Sequence, residues 1–484
     1  MLRDIQKTFT FDRLGRFREV YVLDTIHGAG KLREKMEELG IDCEAIDIYR
    51  GEDIPKFSNE DAVIAPVHIS PENPFLKKAL EERCEVLSHH LVARDIFNLK
   101  NFLRDSIKIE ITGTIGKTSA AVILASILKR DEKSVLLHSS SGTYYITKEW
   151  KIVERCSIAP ANILSVAERA LEDGFMPDFA IFETSLGFAG VGDVNILSSL
   201  KEDYMIASNT RWASEVKLDS IKNLKGNSLL VVPSELFRHL NGNNLISSSK
   251  NLRFLGLHIK DLQLSLNTFG EEGGNIYAVC EESSVASEKD SKMSIIYNDL
   301  KTIDGEKIGG RFDFYPKDDL FFLKNFYDYP ISSSIAAALS LNVREDKIKE
   351  FLDGFSGVEN RMEFKKEKGI EILNNSNSGT RLNHLEDVLA FVRLDRRYKR
   401  IFLIVGEESE YICDGFSPMD VRTVLSRCER YFDDLVCVGN GYHLNRGDKI
   451  FDYARKKTLD DAMRYALSMA EKGDLIVSFV KTWR

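Results

Sequence analysis

Short apolar runs alternate with amphipathic stretches along this chain, and the alternation restarts three times. Val20-Tyr21-Val22-Leu23 leads into Gly28 and Gly30, then a charged helical stretch from Lys31 to Leu39, then Ala45 to Tyr49, which reads as strand, helix, strand. Ala62-Val63-Ile64-Ala65, the helical Phe75 to Glu82 and the strand-like Cys84 to Leu87 continue the series and predict a small parallel sheet. A second series opens at Ile107-Lys108-Ile109-Glu110-Ile111, crosses a glycine loop into a helix over Thr118 to Lys129, and returns at Ser134 to Leu137, with later strands at Phe179 to Phe182 and Leu229 to Val232. Between Asn251 and Phe314 short alternating runs with Gly-rich turns predict a β-rich edge. Ile370-Glu371-Ile372-Leu373 opens a third series, carried on by Ile401 to Val405, Leu435 to Val438 and Leu475 to Ser478. The fold class is therefore α/β, with three segments, 1–106, 107–361 and 362–484.

Composition narrows what such a chain does. At 484 residues it is too long for one core, and 43% hydrophobic with 29% charged residues is ordinary globular usage. A formal net charge of -9 argues against a protein whose main task is to hold nucleic acid, because phosphate neutralisation needs clustered Lys and Arg. Seven scattered cysteines without a C-x-x-C pair suit a reducing cytosol, so a cytoplasmic location is expected. The first 18 residues mix charges with aromatics and lack a secretory apolar stretch, and no window reaches membrane-spanning length.

The chemistry is concentrated after the strand Ile107–Ile111. Thr112-Gly113-Thr114-Ile115-Gly116-Lys117-Thr118-Ser119 lies between an apolar strand and an amphipathic helix, the context in which a glycine loop binds phosphate. Gly113 and Gly116 let backbone N–H groups approach phosphate oxygens, the helix N-terminus favours negative charge, Lys117 adds a point charge, and Thr118 can hold Mg²⁺. Ile111 stands where the general motif has its first glycine, so the loop is a shortened variant; the plain alternative is a tight turn with a surface lysine. Glu183 closes the predicted strand at Phe182, a place for a magnesium ligand or, more simply, a helix cap. By default Lys217 is a solvated helix lysine. His27, His68 and the pair His89-His90 each follow the end of a predicted parallel strand. Such ends face one crevice, so these side chains either converge on a carboxylate-rich or metal-bearing ligand or serve as caps and loop residues.

Taken together, T-G-T-I-G-K-T, Glu183, Lys217 and Gly357-Val358-Glu359-Asn360-Arg361-Met362-Glu363 resemble the Mur ligase family in order and spacing over most of the chain. The resemblance implies a Rossmann-like N-terminal substrate domain, a central P-loop ATPase and a Rossmann-like C-terminal domain that closes over ATP. It implies that Lys117 binds the ATP phosphates, that Thr118 and Glu183 hold Mg²⁺, that Lys217 is a carbamylated support for a second metal, and that Arg361, Asn375 and Asn377 approach the nucleotide. Two departures stand out: Asp203-Tyr204 occupies the place of the family's metal-binding histidine, and Ser332-Ser333 that of its adenine-contacting asparagine.

Within the family, several segments resemble the branch that acts on a nickel tetrapyrrole rather than on peptidoglycan precursors. They are Leu23-Asp24-Thr25-Ile26-His27-Gly28, Ala65-Pro66-Val67-His68, Ser88-His89-His90, His138-Ser139-Ser140-Ser141-Gly142-Thr143, Ser157-Ile158-Ala159-Pro160-Ala161, Ser185-Leu186-Gly187 and Val480-Lys481-Thr482-Trp483-Arg484. That likeness implies ATP-dependent activation of a propionate carboxylate as an acyl phosphate and closure of a carbocyclic ring by C–C bond formation. His27, His68, His89, His90 and His138 are then expected to bind the substrate. An amide-forming ligase of pseudomurein peptide assembly and a non-catalytic ATP-binding regulatory module are the alternatives.

Overall fold

The computed structural model describes residues 15–50, 53–236, 265–270, 274–281, 292–315, 326–394, 398–408, 415–439 and 453–482. Its chain divides into two compact units, Met1–Gly354 and Phe355–Arg484.

The first unit opens with β1 (Val20–Leu23), β2 (Glu44–Ile46), β3 (Ala62–Ala65) and β4 (Glu85–Ser88) in the order β2-β1-β3-β4. All its pairings are parallel, with Val22 opposite both Ala45 and Ile64. Every residue of β1 and β3 is buried, as expected of strands covered on both faces. Helices α1 (Ala29–Glu38) and α2 (Pro74–Glu81) make crossovers between these strands, and α3 (His89–Leu99) follows β4. Local chemistry fixes where two of them begin. Asn73 accepts from the N–H groups of Phe75 and Leu76 ahead of Pro74, and Ser88 accepts from Leu91 N–H. Because α3 starts directly after the end of β4, the Ser88 cap sets where His89 and His90 sit.

The second sheet of this unit contains β5 (Ile107–Thr112), β6 (Val135–Ser139), β7 (Gly142–Ile146), β8 (Trp150–Glu154), β9 (Phe179–Glu183) and β10 (Val194–Leu197). A separate two-stranded ribbon follows, β11 (Met205–Ile206) with β12 (Arg211–Trp212). The large sheet then resumes with β13 (Leu229–Pro233), β14 (Ser265–Gly270), β15 (Ile276–Glu281), β16 (Lys292–Lys301) and β17 (Lys307–Phe314). Among the described residues its order is β17-β16-β15-β14-β13-β10-β5-β9-β6-β7-β8. The centre, from β13 to β6, is parallel, while β7, β8, β16 and β17 pair antiparallel at the edges. Four of these strands occupy the described part of the β-rich region expected between Asn251 and Phe314; residues 251–264, 271–273 and 282–291 lie outside the described residues. Helices α4 (Lys117–Arg130), α5 (Asn162–Glu172), α6 (Ala213–Asp219), α7 (Asp328–Ser340) and α8 (Glu345–Leu352) accompany this sheet.

One apolar core joins the two sheets of the first unit. Val22, Leu32, Ile96 and Phe97 from the small sheet and its helices cluster with Ala161, Leu164, Ala180 and Phe182 from the large one. The rings of Phe97 and Phe182 meet edge to face with centroids 6.0 Å apart. Burying two such rings together, at about 25 cal/mol per Å² of apolar surface, locks the end of β9 against α3.

The second unit holds β18 (Glu363–Glu367), β19 (Ile370–Asn374), β20 (Ile401–Glu407), β21 (Asp434–Val438), β22 (Tyr453–Lys456) and β23 (Leu475–Lys481), ordered β18-β19-β23-β20-β21-β22. All pairings except β18–β19 are parallel. Helices α9 (Leu385–Leu394), α10 (Pro418–Cys428) and α11 (Leu459–Met469) complete it. No helix among the described residues is long and apolar enough to cross a membrane.

Candidate active site

The loop from Thr112 to Lys117 is held by the neighbouring strand end. Ser198 N–H donates to Thr112 O at 2.8 Å, Thr114 N–H donates to Ser199 O at 2.8 Å, and Ser198 Oγ donates to Ile115 O at 2.7 Å. Gly113, at φ 152°, passes so close that a Cβ there would lie 2.2 Å from Ser198 Oγ and 2.9 Å from Ser199 O. Its side chain is excluded by contact as well as by conformation. Gly116 (φ 79°) starts α4, whose first N–H groups have no carbonyl one turn earlier and are available to an anion. Lys117 is half-buried, and Ser119 is buried.

Three oxygen-bearing side chains meet beside that helix start. Thr118 Oγ1 lies 3.0 Å from Glu183 Oε1 and 2.9 Å from Ser140 Oγ, and Ser140 N–H donates to Glu183 Oε2 at 2.9 Å. Thr118 and Glu183 are thus brought together as their positions in the sequence suggested. Hard oxygen donors in this arrangement suit a small divalent cation such as Mg²⁺. Ser140 was not among the expected site residues, since a serine in a hairpin turn carries no signal of its own.

A second buried carboxylate, Glu110, sits on β5 and does different work. It accepts from the N–H groups of Gly190 at 2.9 Å and Val191 at 3.1 Å, from Ala189 N–H, and from Thr184 Oγ1 at 3.3 Å. Burial pushes its carboxyl up, and the N–H donors of residues 189–191 oppose that. Glu110 therefore fixes the loop that follows Glu183.

Lys217 departs from the solvated lysine that its helix suggested: it is fully buried, its ammonium 5.3 Å from the centroid of the Tyr204 ring. The neighbouring Asp203, in the place of the family's metal-binding histidine, is engaged at the start of α6. It accepts from Ser214 N–H at 2.9 Å and from Ser214 Oγ. The hydroxyls of Ser332 and Ser333 are spent within α7, on Asp328 Oδ1 at 3.2 Å and Pro330 O at 3.2 Å.

The histidines fall into two groups. His89, His90 and His138 are buried. Nε2 of His89 donates to Leu23 O and Nε2 of His90 to Ser185 O, each at 2.9 Å, while His138 Nδ1 lies 3.0 Å from Thr143 Oγ1. Burial pushes these imidazoles down, His89 to about 3 and His90 and His138 to about 4, so all three are neutral at pH 7. His27 and His68 instead gather on Asp24. Nδ1 of His27 is 2.7 Å from Asp24 Oδ2, Nε2 of His68 is 3.3 Å from the same atom, and Tyr49 OH donates to it at 3.3 Å. The two rings lie edge to face at 4.6 Å. Burial alone would raise the Asp24 carboxyl, but the hydrogen bond from His27 and the adjacent His68 imidazole outweigh it and hold the group well below the usual carboxylate range. The bond to Asp24 raises His27.

In the second unit, Arg361, Asn375 and Asn377 are brought together where β19 ends. Arg361 Nη1 donates to Asn377 Oδ1 at 3.2 Å, and Asn377 Nδ2 donates to Asn360 O at 2.8 Å and to Asn375 Oδ1 at 3.3 Å. Asn375 N–H donates to Ser478 O on β23 at 2.8 Å.

Solved structures with this architecture include Mur ligases. MurF from Acinetobacter baumannii superposes with a TM-score of 0.55 at 13% identity, covering 94% of this chain and 96% of that one. The MurF ligase of Thermotoga maritima, solved in complex with ADP, gives 0.51 at 14% identity over 89% and 93%. The chain thus has the Mur ligase fold. Residues 364–482 match the family model described as coenzyme F430 synthetase CfbE, C-terminal domain. The coenzyme F(430) synthetase of Methanosarcina acetivorans is 30% identical over 494 aligned positions, spanning 96% of this chain and 99% of that protein. This chain belongs to the coenzyme F(430) synthetase family.

Proposed function

We propose that the protein closes a carbocyclic ring on a nickel seco-corphin, 15,17(3)-seco-F(430)-17(3)-acid, in coenzyme F(430) biosynthesis, with ATP as the activating co-substrate. The observation that carries the reading is family membership over nearly the whole chain, and the oxygen cluster of Thr118, Glu183 and Ser140 beside the start of α4 supports it. A propionate carboxylate attacks the γ-phosphorus, ADP leaves, and an acyl phosphate results. A ring carbon then attacks the activated carbonyl, phosphate departs, and the carbon's hydrogen is lost.

The loop N–H groups and Lys117 hold the phosphates and offset charge during transfer. Bound Mg²⁺, for which Thr118 and Glu183 are the fitting ligands, would supply Lewis-acid neutralisation of the phosphate oxygens. Lys217 is assigned to the same chemistry. It is buried, and α6 packs against Gly187, where a Cβ would lie 3.4 Å from Val216 O. Arg361, Asn375 and Asn377 are assigned to ATP. Since nucleophile and electrophile belong to one molecule, the protein chiefly orients the macrocycle and excludes water.

The test is incubation of purified protein with the seco-acid, ATP and Mg²⁺. Stoichiometric ADP and loss of one water from the tetrapyrrole are expected; turnover only when an amine is supplied would instead make it an amide ligase.

A further inference from the structure

Resting on that reading, we propose that His27, oriented by Asp24, is the base that takes the proton from the ring carbon as the new C–C bond forms. The mass balance demands such a group. When the carbon's π electrons attack the acyl carbonyl, the C–O bond to phosphate breaks and phosphate leaves with that electron pair. The carbon still bears its hydrogen, and transfer of that proton to an acceptor restores the π system.

Geometry selects His27 for this. Its Nδ1 donates to Asp24 Oδ2 at 2.7 Å, which fixes the tautomer and leaves the Nε2 lone pair as the acceptor. The Asp24 side chain is fully buried, whereas that of His27 is 40% exposed at the end of β1. A reacting carbon therefore has access to the imidazole but not to the carboxylate. The backbone at Asp24 is strained, with φ 78° and ψ 81° in a residue that has a Cβ, and Oδ1 holds it there by accepting from Ile26 and His27 N–H at 3.2 Å each. His89 and His90 are unsuited because both are buried away from any reacting carbon, with Nε2–H given to a backbone carbonyl inside the protein. Those two bonds also tie the corner to the phosphate end. His89 grips Leu23, the neighbour of Asp24, and His90 grips Ser185, two residues beyond Glu183.

The experiment separates activation from ring closure. Wild type, His27→Ala and Asp24→Asn are each given the seco-acid, ATP and Mg²⁺. ADP release and hydroxylamine trapping of the acyl phosphate are read apart from loss of water by mass spectrometry. In both variants ring closure is expected to fall by about 10²–10⁴-fold, well beyond any loss of ADP formation or trapping, and added imidazole is expected to restore part of it in His27→Ala. Ring closure within about threefold of wild type would overturn the proposal, on the same scale of catalytic effects. So would parallel loss of activation and closure, which marks a binding role, or a stoichiometric divalent ion in the purified protein that His68→Ala removes. If wild type itself yields neither ADP nor loss of water from the seco-acid, the functional reading fails, and the proposal with it.

Discussion

Two polar corners of the first unit invite comparison, the oxygen cluster beside α4 and the imidazole cluster at the end of β1. Both stand where parallel strands end, yet they are built oppositely. At Thr118, Glu183 and Ser140 hydroxyls and a carboxylate converge beside a helix start, a set that favours a hard cation and phosphate. At Asp24 one carboxylate oxygen accepts from an imidazole and a phenol with a second imidazole alongside, an arrangement that orients rings and sets their protons. The first corner suits phosphoryl transfer and the second suits proton transfer. The bonds of His89 and His90 to Leu23 and Ser185 connect them.

The largest effect expected falls on the first corner alone. Lys117→Ala should lower ADP formation by about 10²–10³-fold, the usual loss when one preorganised charge is removed from a transition state. Circular dichroism and thermal unfolding should be unchanged, since Lys117 is not a core side chain. Undiminished ADP formation would mean that the loop is not the phosphate site. Next in size, Glu110→Gln replaces a carboxylate that accepts from residues 189–191 with an amide whose NH₂ must face N–H donors. A cost of about 1–3 kcal/mol is expected, read by denaturant unfolding, with ADP formation falling because the loop after Glu183 loses its anchor. Equal stability of variant and wild type would remove Glu110 from this role.

These two carboxylates show what was legible in the chain. The strand of Glu110, the glycine loop and the strand of Glu183 were read correctly as α/β elements because apolar runs and glycine positions report local structure. Strands β7, β8 and β10 were passed over. The first two form an edge hairpin in which Lys151, Tyr144 and Thr143 break the apolar pattern, and β10 is only four residues long after a glycine loop. Partnership across strands was the harder matter. Nothing in the sequence around Glu110 announces that residues eighty positions on will donate to it, nor that Ser140 meets Thr118 or Lys217 is buried. Asp24 stood three residues before His27 and could have been suspected, since an Asp at that spacing commonly caps the following turn and shares it with its neighbour.

The buried histidines that surround both corners govern how the first unit responds to acid. His89, His90 and His138 are neutral in the folded protein, pushed down to about 3, 4 and 4 by burial, while an unfolded histidine titrates near 6.5. Between about pH 4 and 6.5 the unfolded chain therefore binds more protons than the folded one, and stability rises with pH across that window. Acidification from pH 7 to 5 should cost on the order of 1–2 kcal/mol per histidine. Calorimetry at the two pH values should show the fall, and His138→Gln should make it shallower by removing one titrating group. A thermal midpoint of the first unit that does not move between pH 7 and 5 would contradict the neutral, buried assignment.

The smallest effect expected comes from Tyr49→Phe, and it discriminates most finely between the corners. Tyr49 OH reaches Asp24 Oδ2 at 3.3 Å, whereas His27 Nδ1 reaches it at 2.7 Å, so the phenol is the weaker of the two donors. Its loss should weaken the hold on the carboxylate by about 1 kcal/mol, the ordinary net worth of one hydrogen bond. Because the ring of Tyr49 is half-exposed, its removal from this bond disturbs little packing. Ring closure should slow by roughly fivefold, with ADP formation and acyl phosphate trapping unchanged. A drop in ADP formation would instead mean that the carboxylate of Asp24 serves the phosphate corner, and the two regions would then act as one site rather than as an activating half and a proton-accepting half.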